Sequence, residues 1–79
     1  MSTLKDRMKA ALDKRFEGKA TDIFRQRIHK IVDAMPDDPA QMDGGLNNVR
    51  IAIKLLFDDD LSREMHEELS LMAKYSDRL

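Results

Sequence analysis

A chain of 79 residues without cysteine is the length of one small domain and excludes disulfide and thiolate chemistry. Its formal charge of −1 and 37% charged residues, with no run approaching the about 18 apolar residues of a membrane span, exclude a spanning helix and point to a soluble globular chain. The opening residues Met1–Arg7 carry no apolar signal core. With cysteine absent as well, the expected compartment is the cytoplasm.

Aromatics make up 5% and tryptophan is missing, so the core must be built from Ile, Leu, Val and the six Met. Methionine is unbranched and adaptable, which suits irregular core gaps and surfaces that bind. Charge is unevenly placed. Residues 1–34 hold nine Lys/Arg against five Asp/Glu, a sum of +4; residues 35–79 hold five against ten, a sum of −5. The basic half can pack on the acidic half, or the asymmetry can steer a partner or drive head-to-tail association.

Taken in order, the first predicted helix spans about 3–17. Ser2 or Thr3 is its N-cap; Leu4, Met8, Ala11, Leu12 and Phe16 recur at helical spacing; Gly18 is a left-handed stop. Arg15 intrudes on the apolar stripe and is expected to snorkel at its margin. The second helix, about 22–34, follows the cap Thr21 and carries Phe24, Ile28, Ile31, Val32 and Met35 on one side. Pro36 ends it.

The connection 36–45 holds Asp38-Pro39, an N-cap followed by proline at the first helical position, which predicts one helical turn over 38–42. Gly44-Gly45 then reads as a flexible approach to the third helix, with Asp43 or Asn47 as its cap. That helix, about 46–57, is the most apolar stretch of the chain. Leu46, Val49, Ala52, Ile53, Leu56 and Phe57 share a broad face, and Ile51 with Leu55 forms a second stripe. A helix apolar nearly all round is expected to be buried nearly all round, as the centre of the bundle. Residues 48–56 also fit the alternation of a strand, but no other segment offers a strand to pair with. Asp58–Asp60 close this helix and open the fourth, about 61–76, whose stripe is Leu61, Met65, Leu69, Met72 and Ala73. Glu68 lies inside that stripe as its one misfit. Arg63 with Glu67 is an i, i+4 pair. The expected fold is all-α, a single domain of four helices in a small bundle.

Three chemistries are weighed on these elements. Asp58–Asp60 supplies carboxylates suited to a hard cation. Adjacent side chains diverge, however, so the run reads as a helix N-terminus favoured by the dipole, and neither metal nor cofactor is expected. The string Arg63–Leu69, R-E-M-H-E-E-L, resembles the phospho-accepting box of two-component histidine kinases over seven residues. That resemblance implies phosphoryl acceptance by His66 with assistance from Glu67, and hence a passive phosphotransfer module. Lys19, Arg25, Arg27 and Lys30 make the first two helices basic, and with the Gly18 turn they look superficially like a helix-turn-helix for DNA or RNA. Asp13 and Glu17, where that motif wants apolar packing, oppose it.

The leading expectation is a non-catalytic interaction module that binds itself or a larger protein. Its interface residues are Ile51, Leu55 and Leu71.

Overall fold

Side chains at the helix starts decide where this chain becomes helical. Thr3 Oγ1 accepts from the Asp6 N–H at 3.1 Å while the Asp6 carboxylate accepts from the Thr3 N–H at 3.2 Å, a reciprocal capping box. Thr21 accepts from the Phe24 N–H at 3.2 Å, and Asp58 from the Leu61 N–H at 2.7 Å. A computed structural model describes residues 3–76, in which these caps open α1 (Leu4–Arg15), α2 (Asp22–Asp33) and α4 (Asp59–Lys74). Between α2 and α4 lie a 3₁₀ turn (Pro39–Gln41), where Asp38 accepts from the Ala40 N–H at 3.0 Å, and α3 (Asp43–Leu56). The protein is an all-helical four-helix bundle. Among the described residues there is no strand: 48–56, with its alternating pattern, is helix throughout.

α3 differs most from expectation. It begins at Asp43 rather than about 46, and no side chain caps it. The 3₁₀ turn runs straight into it, and the Leu46 N–H donates to the Met42 carbonyl at 2.9 Å. Gly44 and Gly45 are therefore helical residues, not a flexible approach. Gly45 sits where a Cβ would collide with Cγ and Sδ of Met35, whereas a Cβ at Gly44 would meet nothing. The first glycine is solvent-facing slack; the second lets α2's exit and α3's first turn approach closely. Gly18, at φ +76°, supplies the left-handed turn expected after α1.

α3 is not the centre of the bundle. It packs chiefly on α4 and then on α2, while α1 packs on α2 and α4. Each helix thus has two principal neighbours, and none is enclosed. Every helix gives one face to a common core. Met8, Leu12 and Phe16 come from α1 and its exit, Phe24, Ile28 and Val32 from α2, Leu46, Val49 and Ile53 from α3, and Met65, Leu69 and Ala73 from α4. Met35 and Met42 seal the α2–α3 connection. Buried among them is Ser62, which the apolar pattern of α4 passes over. Its hydroxyl donates to the Asp59 carbonyl at 2.7 Å, so the buried serine oxygen is paired. Phe16, Phe24 and Phe57 meet with ring centroids 5.0 to 5.7 Å apart at one end of the core.

Ion pairs stitch the seams. Lys9 Nζ meets Asp33 at 2.8 Å and His29 Nε2 meets Asp13 at 2.7 Å, both joining α1 to α2; Arg15 pairs with Glu64 across α1 and α4. Arg15 thus leaves the apolar stripe for a carboxylate on a neighbouring helix. Arg63 pairs with Asp59 and Asp60 rather than with Glu67.

Candidate interaction surface

The residues buried on α3 are Leu46, Val49 and Ile53. At about 100° per residue, Ile51 and Leu55 stand well away from them, and no neighbouring helix lies over that side. Ile51 is 43% exposed, Leu55 78% and Leu56 59%. Leu56 was expected within the buried face. It lies at the shoulder of that face where α3 ends, and is exposed there.

A further residue, Ile23 on the first turn of α2, is 76% exposed and was not singled out by the helical pattern. Its neighbour Phe24 contacts the ring of Phe57, itself the neighbour of Leu56, at 5.2 Å. That contact brings Ile23 and Leu56 to the same end of the seam between α2 and α3. The exposed apolar surface is therefore wider than the α3 stripe and crosses onto α2. Monomeric proteins carry single exposed apolar residues freely, but clusters of large ones mark contact sites.

Leu71 is 47% exposed but stands on α4, about 200° round from buried Leu69. It belongs to the outer face of a different helix. There exposed Glu67 precedes it by one turn and exposed Lys74 follows it by one turn, while Glu68 lines a groove with Lys14, Arg15 and Lys19. Glu68, the misfit of the apolar stripe, points out of the core.

The four basic residues considered for nucleic acid do not share one face. Lys19 lies on the turn after α1. Arg25 and Arg27 are separated by about 200° around α2. Arg25 borders the α1 side and pairs with Asp22 at 3.2 Å; Lys30 borders the α3 side, near Gly45 and Asn48. Arg27 shares that second edge, one turn before Ile31.

His66 is half-buried on the flank of α4, and Glu67 beside it is exposed. Asp58 is used as the α4 cap, and Asp59 and Asp60 pair with Arg63. Among the described residues no group of three or more His, Asp or Glu is placed to hold a metal ion, and no helix is long and apolar enough to cross a membrane.

A cleft of about 420 Å³ opens between the end of α1 and α2. Leu12, Phe16, Phe24 and Ile28 form its floor, and the Asp13–His29 pair stands at its rim; none of its lining residues bears a hydroxyl or thiol.

On α1, two titrations are displaced by its polar contacts. The Thr3 N–H hydrogen bond holds the Asp6 carboxyl below its ordinary value of 3.8, and the hydrogen bond to Asp33 holds Lys9 above its ordinary 10.5. Both serve the α1 end of the fold rather than the exposed apolar surface.

No family model, curated protein or solved structure matches the chain.

Proposed function

We propose that this chain is a small, non-catalytic, self-associating interaction module of the cytoplasm, with the outer face of α3 as its working surface. One observation carries the reading: Ile51 and Leu55 project large apolar side chains to solvent from a helix whose opposite face already fills the core, and Leu56 exposes a third at the end of that helix. Fully burying each contributes about 1.5–3 kcal/mol, so three together offset much of the entropy of association. The position of Ile23 beside Leu56 supports the same surface by extending it across the seam. The lack of cysteine suits work in a reducing compartment.

The test is the solution mass of the protein and of an Ile51→Asp, Leu55→Asp double variant, by light scattering over a range of concentrations. The wild type is expected to exceed the monomer mass, and the double variant to be a folded monomer with unchanged helicity. A wild type that is monomeric throughout overturns the proposal. So does a double variant that keeps the wild-type mass.

A further inference from the structure

The four helices are not held in the same way. The most extensive contacts between them are α3 with α4 and then α2 with α3, so α2, α3 and α4 form a body along which α1 lies. Of the four principal seams, the two that α1 makes are the least extensive. Met8 and Leu12 are its buried residues, with Phe16 just beyond its end. α1 also carries Arg7, whose Nε is buried without a hydrogen-bond partner.

Charge is distributed the other way. α1 holds five Lys/Arg against two Asp, a sum of +3. Lys5 Nζ pairs with Asp37 at 3.1 Å and donates to the Asp33 carbonyl at 3.2 Å. Lys9 pairs with Asp33, Asp13 with His29 and Arg15 with Glu64. Among the described residues, the one other ion pair between helices is Lys54 with Asp59, across the short α3–α4 connection. The body is therefore joined within itself chiefly by apolar contact. α1 is joined to it by a modest apolar stripe and a row of ion pairs.

The turn after α1 has the make-up of a hinge. Glu17, Gly18 and Lys19 are exposed, and a Cβ at Gly18 would meet nothing. Rotation there drags no packed side chain, and Phe16 travels with α1.

We infer that α1 is a charge-latched strap that lifts from the α2–α3–α4 body at the Gly18 turn, and that the seat it leaves takes α1 of a second copy of this chain. Complementarity selects that occupant. Reading along α1, Lys5, Lys9, Asp13 and Arg15 meet Asp37, Asp33, His29 and Glu64, so the seat answers the helix charge for charge. Reciprocal exchange remakes each of these contacts between copies and closes as a two-fold dimer. The inference stands apart from the α3 reading: Ile51 and Leu55 take no part in the seat, and either can fail without the other.

Two experiments test it. The first is amide hydrogen exchange of the wild type at low and high salt. Screening is expected to lower the protection of the Met8 and Leu12 amides about fivefold or more relative to those of Ile53 and Leu69. Equal losses in α1 and in the body overturn the strap.

The second uses opposite charge reversals, both made with Ile51→Asp and Leu55→Asp so that the α3 face contributes nothing. One variant carries Lys9→Glu and Arg15→Glu; the other carries Asp33→Lys and Glu64→Lys. Within either chain α1 and its seat repel, whereas each α1 attracts the seat of the other chain. Refolded together, the two are expected to give a 1:1 heterodimer by light scattering, with more helix than either alone. A mixture that stays monomeric, with the helicity of its separate components, overturns the exchange. Should either variant fail to fold alone, the same reading applies, because its helix must return on mixing.

Discussion

Two adjacent glycines in one helical turn should respond to alanine with opposite signs. Replacing a helical glycine by alanine at a compatible position stabilises by about 0.4–1 kcal/mol, chiefly through the unfolded chain. Gly44 and Gly45 are both helical, so this gain applies to both. At Gly44 nothing lies within 4 Å of the added Cβ, and the gain is expected in full.

At Gly45 the added Cβ overlaps Cγ and Sδ of Met35, a side chain 4% exposed and held between α2 and α3. Forcing a methyl into a packed core costs about 1–3 kcal/mol. Gly45→Ala should therefore come out less stable than Gly44→Ala by about 1–3 kcal/mol, because the propensity gain cancels between them. Urea denaturation read by far-UV circular dichroism measures both. A third protein, Gly45→Ala with Met35→Ala, isolates the clash: relative to Met35→Ala alone, the glycine substitution should become stabilising. If Gly45→Ala stabilises as much as Gly44→Ala, the close approach of α3 to Met35 is wrong, and with it the account of why α3 starts without a side-chain cap.

Two further expectations concern the core and the α1 cap. Ile53, fully buried, should lose about 2–5 kcal/mol on truncation to alanine, whereas Leu55→Ala, two residues away, should change monomer stability by no more than about 0.5 kcal/mol; thermal melts at low protein concentration separate them. The depressed Asp6 carboxyl contributes stability that is present above its unfolded value near 3.8 and is lost as pH falls through its lower folded value. Asp6→Asn should accordingly flatten the acid limb of the stability–pH profile below about pH 4, as denaturant titrations at stepped pH will register.

What can be read from the chain alone divides along physical lines. Helix starts at Thr3 and Thr21 are local events, a side-chain oxygen meeting an amide three residues on, so these caps and the four helices were legible; α4 starts at Asp59 rather than about 61, with Asp58 as the cap out of the three adjacent aspartates. The burial of Leu46, Val49 and Ile53 was legible for the same reason, since they share one face of one helix. The role of Gly45 was not, because its cause is Met35 of another segment. Leu56 and Ile23 were misplaced or missed because exposure at a helix end depends on where neighbouring helices stop. Arg15 and His29 found partners 49 and 16 residues away, separations that periodicity does not address. Of the candidate surface, Ile51, Leu55 and Leu71 were named in advance, but Ile23 emerged only from the structure.

The aromatic residues give this protein a convenient optical layout. Phe16, Phe24 and Phe57 touch one another at the end of the bundle where α3 passes into α4. Tyr75 follows the far end of α4, 16 residues or about 24 Å away. Without tryptophan to dominate the spectrum, phenylalanine and tyrosine bands in near-ultraviolet circular dichroism report opposite ends of one small molecule. Superimposable transitions in the two bands mark a bundle that melts as a unit; separated ones reveal which end opens first, with no label introduced.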